Sequence, residues 1–259
     1  MNKPIIIANW KMNLTPNEEV ELTKDFLKKL KKIKSSKLAN FETVVCPSFL
    51  GLFAVAEILK NEKKFLSLGA QDCFWEDKGN FTGENSPQVL KQMGCEYVIV
   101  GHSEKRENSK ETGEMVNKKI KAALQNNLIP IICLGETRGE RDKGLKEYVV
   151  LDQVSQALKG VSFRAESKII IVYEPVWITN NIKSIESREA EYFAKIIQQR
   201  LIDLFPLPFV RNNIRIIYGG SVDSQMIKSF VDEETISGVL VGAASLKVEE
   251  FIKMCERIC

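Results

Sequence analysis

The chain has 259 residues, of which 44% are hydrophobic and 27% are charged, which is the composition of an ordinary globular protein. Its 37 Lys and Arg against 34 Asp and Glu give a net charge of +3, which does not support nucleic acid or an anionic membrane as a partner. No segment reaches the roughly 18 apolar residues that a membrane span needs, and the first residues lack the apolar core of a signal peptide. We therefore expect a cytoplasmic location.

Cysteine and histidine usage disfavours a metal site. The six cysteines lie at positions 46, 73, 95, 133, 255 and 259, and none forms a Cys-x-x-Cys pair. With only one histidine in the chain, a structural zinc site is disfavoured. Reduced thiols in a cytosol are the simplest interpretation.

Short apolar runs rich in β-branched residues alternate with longer helical patterns. The runs are apolar throughout, which is typical of parallel strands buried on both faces. In chain order they are Ile5–Asn9, Thr43–Cys46, Leu66–Ala70, Tyr97–Val100, Ile129–Cys133, Ile169–Tyr173, Ile214–Tyr218 and Gly238–Val241.

Two of the intervening segments show one apolar face at helical spacing. In the segment 17–33 this face consists of Phe26, Leu27, Leu30 and Ile33. In the segment 186–205 it consists of Phe193, Ile197, Leu201 and Leu204. These patterns predict the helices that cover the strands.

Eight strand–helix units without a dividing linker predict one domain over residues 1–259, an α/β fold of the (β/α)8 TIM-barrel type. A barrel of this kind needs about 250 residues. An open doubly wound sheet is the alternative, but it would carry Gly-x-Gly-x-x-Gly after the first strand. The first strand is followed here by Asn9-Trp-Lys-Met-Asn13, which contains no glycine.

Chemistry in such barrels sits at the carboxyl ends of the strands, where this chain places several polar side chains. Lys11 follows the first strand, the sole histidine His102 follows the fourth, and Glu174 ends the sixth. Asn9 and Gln71 end the first and third. Each has an ordinary structural explanation alone, but together they place a cation, an electrophile and a base over one barrel mouth.

Two glycine-bearing turns follow the last two strands. They are Tyr218-Gly-Gly-Ser-Val222 and Val241-Gly-Ala-Ala-Ser-Leu246. Loops in these positions often bind phosphate through backbone N–H groups and a helix N-terminus. The pair indicates a phosphorylated ligand.

These motifs together resemble those of the triosephosphate isomerase family, in the family's order and spacing. The resemblance extends over residues 4–256. It includes the third loop, from Gly69-Ala-Gln71 to Phe81-Thr-Gly-Glu84. The motifs that carry it are Asn9-Trp-Lys-Met-Asn13, Gly101-His-Ser-Glu104, Cys133-Leu-Gly-Glu136, Tyr173-Glu-Pro-Val-Trp177, Tyr218-Gly-Gly-Ser-Val222 and Gly242-Ala-Ala-Ser-Leu-Lys247.

The resemblance implies the interconversion of dihydroxyacetone phosphate and glyceraldehyde 3-phosphate, in glycolysis and gluconeogenesis. In this family a glutamate base works with a neutral histidine that polarises the carbonyl, which implies these roles for Glu174 and His102. Lys11 would supply fixed positive charge, and Asn9 would hydrogen-bond the substrate oxygen. Glu104 would hold Lys11 in place.

The resemblance also implies a phosphate site, a partner and the absence of a cofactor. Backbone N–H groups of Asn180, Ser221, Gly242 and Ala243 would hold the phosphate. A homodimer is expected, in which Thr82 of the third loop lies next to the partner's site. No metal is required, because one fixed cation and two neutral donors can meet the charge that develops.

The chain departs from the family pattern mainly in the sixth loop, the lid that closes over substrate. The family has Ala-Ile-Gly-Thr-Gly-Lys where this chain has Ile178-Thr-Asn-Asn-Ile-Lys183. Asn180 and Ile182 therefore replace glycines, and a β-branched residue enters the left-handed region at a cost. Milder departures are Ala243 in place of Gly and Lys105 in place of Arg.

Two other functions compete with isomerisation of triose phosphates. One is another phosphate-binding barrel isomerase, of the kind found in amino-acid biosynthesis, which would not be expected to carry Lys11, His102 and Glu174 in this arrangement. The other is a non-catalytic or low-activity relic of the barrel with an altered lid. The intact Lys11, His102 and Glu174 disfavour the relic.

Overall fold

A computed structural model describes residues 3–178 and 184–258, and within them eight parallel strands form a closed barrel. Each strand pairs with the next, and the last pairs with the first through Ile5 opposite Gly238. The strands are β1 (Ile5–Asn9), β2 (Glu42–Cys46), β3 (Ser67–Ala70), β4 (Tyr97–Val100), β5 (Ile129–Leu134), β6 (Ile169–Tyr173), β7 (Ile214–Tyr218) and β8 (Ile236–Val241).

Helices follow the strands and surround the barrel. Several begin with a side-chain cap, such as Thr15 and Glu18, which form a reciprocal capping box at the first helix. The helices are α1 (Pro16–Leu30), α2 (Ser35–Leu38), α3 (Phe49–Leu59), α4 (Pro87–Gln92), α5 (Ser103–Asn108), α6 (Gly113–Gln125), α7 (Arg138–Asp142), α8 (Lys146–Leu158), α9 (Ser187–Leu204), α10 (Leu207–Asn213), α11 (Ile227–Val231) and α12 (Val248–Arg257). A 3₁₀ turn covers Ala243–Leu246.

The strands are apolar on both faces because each face packs against a separate core. Successive side chains of a strand point to opposite sides. In β1, Ile5 and Ile7 belong to the cluster inside the barrel, whereas Ile6 and Ala8 belong to the larger cluster between strands and helices. Because both faces of the strands are buried, their sequences do not alternate between apolar and polar residues.

The barrel and its strand order are as predicted, with small differences at element ends. Helix α1 ends at Leu30, so Ile33 lies in the turn after it. In α9, Phe193, Ile197 and Leu201 are buried, but Leu204, the last residue of the helix, is 38% exposed. The lid substitutions at Asn180 and Ile182 lie outside the described residues. No helix in the described ranges is long and apolar enough to cross a membrane.

Candidate active site

The side chains of Lys11, His102 and Glu174 converge at the carboxyl end of the barrel. Their elements place them there, because Lys11 follows β1, His102 follows β4 and Glu174 follows β6. The His102 Nε2 atom lies 3.3 Å from Glu174 Oε1. The Lys11 ammonium lies 2.6 Å from Glu104 Oε1. The barrel therefore gathers a cation, an imidazole and a carboxylate that are up to 163 positions apart in sequence.

Lys11 is held in an unfavourable backbone conformation. Its φ of +55° lies in the left-handed region, which a side chain with a Cβ adopts at a cost. Two contacts hold it there. The Lys11 N–H donates to Asn9 Oδ1 at 3.1 Å, and the Gln71 amide donates to the Lys11 carbonyl at 2.9 Å. Gln71 also donates to the Cys46 carbonyl at 3.0 Å, so the ends of β1, β2 and β3 meet at this amide.

His102 is the N-cap residue of α5 and is almost completely buried. Its Nδ1 accepts a hydrogen bond from the Glu104 backbone N–H at 3.2 Å. Because Nδ1 is an acceptor, the neutral ring carries its proton on Nε2, the atom that faces Glu174. The helix start therefore fixes the tautomer, and His102 can donate from Nε2 into the mouth.

The Glu174 carboxylate is held by the residue that follows His102. Its Oε1 accepts from the Ser103 hydroxyl at 3.0 Å, and its Oε2 accepts from the Ser103 N–H at 3.3 Å. Glycines flank Glu174 on both neighbouring strands. A Cβ on Gly135 would lie 1.8 Å from the Glu174 carbonyl oxygen, and one on Gly219 would lie 2.4 Å from Val172. Side chains at these two positions would displace the end of β6.

The two glycine-bearing turns border the same mouth. Gly242 lies beside the end of the Lys11 side chain, since a Cβ built on it would be 3.9 Å from Lys11 Nζ. Ala243 begins the 3₁₀ turn, and Ser221 is exposed after β7. The Ser221 loop is held from α12, because Glu250 Oε1 accepts from the Ser224 N–H at 2.6 Å. Asn180, the fourth predicted phosphate ligand, lies outside the described residues.

A buried carboxylate, Glu136, anchors the segment that follows Glu174. It accepts hydrogen bonds from the Trp177 indole at 2.9 Å, the Tyr173 hydroxyl at 3.2 Å and the Arg141 guanidinium at 3.0 Å. Burial, followed by the charge of Glu136, raises the pKa of Tyr173, so its hydroxyl remains a donor. Glu136 thus fixes the chain on both sides of Glu174.

A buried ionic cluster lies beneath the third and fourth loops. Lys119 of α6 is only 3% exposed and pairs with Glu111 and with Asp72, the latter at 2.6 Å. Burial lowers the pKa of Lys119, but the two carboxylates outweigh it and hold the pKa above its usual value. Glu111 Oε2 accepts from the Gly101 N–H at 3.0 Å, and Lys105 lies 3.1 Å from Asp72. The cluster therefore reaches the residue before His102.

The third loop packs partly on itself. Phe74 stacks on Trp75 with ring centroids 4.0 Å apart and contacts Phe81 at 4.5 Å. Phe74 is buried because Trp75 and Phe81 cover it, so the chain by itself does not expose all three aromatic side chains of this loop. Phe81 is 42% exposed, and Thr82 next to it is exposed as well.

Sequence reasoning placed the polar strand-end residues and one support, Glu104, but missed the other supports. Ser103 could have been noticed, since it directly follows His102 at the mouth. The contacts of Lys119, Gln153 and Glu250 had no sequence signal, because these residues lie on helices and reach loops far away in the chain. Within the described ranges, no cluster of three or more His, Cys, Asp or Glu side chains could hold a metal ion.

Comparison with known proteins gives one consistent result. The family model described as triosephosphate isomerase matches residues 4–258. The chain is 43% identical over 254 residues to triosephosphate isomerase from Caldanaerobacter subterraneus subsp. tengcongensis, covering 98% of this chain and 99% of that one. It is 42% identical over 251 residues to the enzyme of that name from Dictyoglomus turgidum, covering 97% and 98%. The crystal structure of triosephosphate isomerase from Bartonella henselae is similar with a TM-score of 0.85 at 31% identity, over 99% of both chains.

Proposed function

The chain belongs to the triosephosphate isomerase family, and we propose that its barrel mouth performs the family's reaction through Glu174, His102 and Lys11. The reaction interconverts dihydroxyacetone phosphate and D-glyceraldehyde 3-phosphate, a step of glycolysis and gluconeogenesis. The observation that carries the residue assignment is the 3.3 Å approach of His102 Nε2 to Glu174 Oε1 at a mouth that Lys11 also faces.

Each group has one chemical task. The Glu174 carboxylate removes a proton from the carbon next to the carbonyl, and the electron pair of that C–H bond forms an enediolate. His102 donates a hydrogen bond from Nε2 to the carbonyl oxygen, where negative charge develops, and Lys11 stabilises the same charge. The hydroxyl proton moves from one enediolate oxygen to the other through His102 Nε2, and the protonated Glu174 then returns the carbon-bound proton to the neighbouring carbon. Asn9 binds the substrate oxygen, and Glu104 orients Lys11 at 2.6 Å.

The substrate phosphate would lie between Lys11 and the loops after β7 and β8. The backbone N–H groups of Ser221, Gly242 and Ala243 are the proposed donors, joined by Asn180. The position of Gly242 beside Lys11 Nζ supports this site, since one ammonium can then serve both the phosphate and the reacting oxygen. We assign no cofactor and no metal to the reaction.

The assignment of the base is tested with a coupled assay that follows glyceraldehyde 3-phosphate. Glu174→Asp shortens the side chain by one methylene, and a misplacement of about 1 Å should lower kcat about a hundredfold. Glu166→Asp, the same change in an exposed turn, is the control and should have no effect. If Glu174→Asp keeps kcat within a factor of two, Glu174 is not the base.

We propose a homodimer for the working enzyme. A cleft of about 480 Å³ opens beside the mouth, with Asn9, Lys11 and His102 among its lining residues. Met12 on its rim is 94% exposed, as expected of a residue that a partner covers. The exposed tip at Phe81 and Thr82 is the segment of a second copy that would enter the cleft. Light scattering should give twice the 29.4 kDa chain mass, and a fully active 29.4 kDa species would exclude the dimer.

We also propose that residues 1–259 form one domain, in a cytoplasmic enzyme. The pairing of β1 with β8 supports this, because it joins the two ends of the chain in one barrel. A single cooperative unfolding transition, followed by both tryptophan fluorescence and circular dichroism, is the expected result.

A further inference from the structure

The loop after β5 lies against the backbone of Glu174 and contains a residue that the reaction leaves without a role. Gly135 continues the pairing of β5 with β6, as the Glu174 N–H donates to the Leu134 carbonyl at 2.8 Å. The Val176 N–H donates to the Glu136 carbonyl at 3.1 Å. Gly135 thus lies directly beside Glu174, where even a Cβ would come within 1.8 Å of the Glu174 carbonyl oxygen.

The peptide groups of Gly135 are bound by one side chain from the helix layer. Gln153 of α8 accepts from the Gly135 N–H through Oε1 at 2.9 Å and donates from Nε2 to the Gly135 carbonyl at 3.1 Å. These two hydrogen bonds fix both the position and the orientation of the backbone at Gly135. They also require one donor and one acceptor in a fixed orientation, which an amide provides at every pH at which the protein is folded.

We propose that Gln153 is a positioning residue for the catalytic base, acting through Gly135 on the backbone of Glu174. This inference rests on the proposed role of Glu174. Among the described residues, Gln153 hydrogen-bonds Gly135 and none of Lys11, His102 or Glu174. Gln153 fixes the loop at Gly135. Because this loop packs closely against the end of β6, it restricts that end of the strand to one position and so sets the distance between the Glu174 carboxylate and His102.

Removal of the amide is the first test. Gln153→Leu keeps the size and helix propensity but leaves the Gly135 N–H and carbonyl without their partner. We expect kcat to fall about tenfold, because small displacements of a base are costly, while KM stays within about twofold. Gln156→Leu is the matched control. It lies three residues further along the same helix, bonds Asp152 on the exposed side, and should leave both constants unchanged.

A charged isostere gives a readout that a purely structural role would not produce. Gln153→Glu places a carboxylate oxygen against the Gly135 carbonyl, and two acceptors repel each other. When this carboxyl is protonated, it can accept from the N–H and donate to the carbonyl, as the amide does. The ratio of variant to wild-type kcat should therefore rise as the pH falls from about 8 to about 5. A ratio that does not change with pH contradicts the proposal.

A double-mutant cycle separates this inference from the proposed function. In a Glu174→Gln background, Gln153→Leu should lower the residual kcat by less than twofold, since the base it positions is gone. An undiminished tenfold loss there means that Gln153 acts elsewhere, and a normal kcat in the single variant overturns the proposal as well. In both cases Glu174→Asp would still show its own loss, so the assignment of the base would stand.

Discussion

The two ends of the barrel both carry charged side chains, but they use them in opposite ways. At the amino end, Arg215 of β7 forms a two-point ion pair with Glu42 of β2, with distances of 2.8 and 3.0 Å. At the carboxyl end, Lys11, His102 and Glu174 face an open mouth. The comparison indicates how one fold separates stability from chemistry: the ion pair at the amino end joins two strands of the barrel, whereas the charged side chains at the carboxyl end line an open mouth.

The amino end is closed by contacts within the chain. Tyr97 of β4 lies beside the ion pair, and burial, followed by the charge of Glu42, raises the pKa of its hydroxyl. These side chains line a cavity of about 50 Å³. At the carboxyl end, by contrast, the left-handed backbone of Lys11 is unfavourable, and among the residues that the structure describes its ammonium pairs only with the half-exposed Glu104. The left-handed backbone at Lys11 therefore lowers the local stability of the end of the barrel that carries the proposed site.

The largest effect should come from replacing Lys11. Lys11→Gly removes the ammonium, which should lower kcat/KM by about a thousandfold. It also removes the left-handed strain, so the free energy of unfolding should rise by up to about 1 kcal/mol. Coupled assays and urea unfolding measure the two effects on the same protein.

Lys11→Met is the matched control for that experiment. It loses the charge but keeps a Cβ in the left-handed region, so it should be as inactive as Lys11→Gly without being more stable. If Lys11→Gly is less stable than Lys11→Met, the backbone at residue 11 is not strained and the contrast between the two ends is wrong.

The next effect concerns the amino end. Arg215→Met leaves the Glu42 carboxylate partly buried without its partner, and this should cost about 2 kcal/mol of stability. The value is below that of a fully buried pair because Glu42 remains 35% exposed. Since the site lies at the other end, kcat should stay within a factor of two. Arg215→Met combined with Glu42→Gln should recover part of the loss, and a tenfold fall in kcat would contradict the separation of the two ends.

The smallest effect concerns a carboxylate that supports the carboxyl end. The backbone hydrogen bond from Ser224 lowers the pKa of Glu250 from 4.5. A lowered pKa means that this contact stabilises the fold above about pH 4.5 and is lost as the pH falls through the folded value. Glu250→Gln should remove this part of the acid dependence, an effect below about 1 kcal/mol because Glu250 is only half-buried. Urea titrations between pH 3 and 6 would detect it, and an unchanged acid profile would contradict it.

Much of the barrel could be predicted because its strands are buried on both faces. The bounds of β1, β4, β6 and β7 coincide with the predicted runs. The other four strands differ by one or two residues at one end. For example, β2 begins at Glu42, whose backbone pairs with Ile5 of β1, and β8 begins at Ile236 rather than Gly238, since Ile236 pairs with Ile216 of β7. Periodicity cannot detect such pairings between distant strands.

In the candidate site, too, some residues could be predicted from the sequence and others could not. Lys11, His102 and Glu174 could be placed because each lies within two residues of the carboxyl end of a strand. Gln153 and Lys119 could not, because a glutamine or lysine on an amphipathic helix has the pattern of a solvated residue. In the structure, Gln153 hydrogen-bonds the Gly135 backbone, and Lys119 pairs with the carboxylates of Asp72 and Glu111.

The cluster around Lys119 has a consequence for how the chain folds. Asp72 follows β3, whereas Glu111 and Lys119 come after β4, so an intermediate with only the first three strands would bury Asp72 without its counter-ion. Desolvating an unpaired carboxylate is strongly unfavourable. The first three units should therefore not dock stably until α6 joins them, which makes the segment from β3 to α6 one cooperative unit of assembly. Hydrogen exchange should show the amides of β3 and α6 opening together.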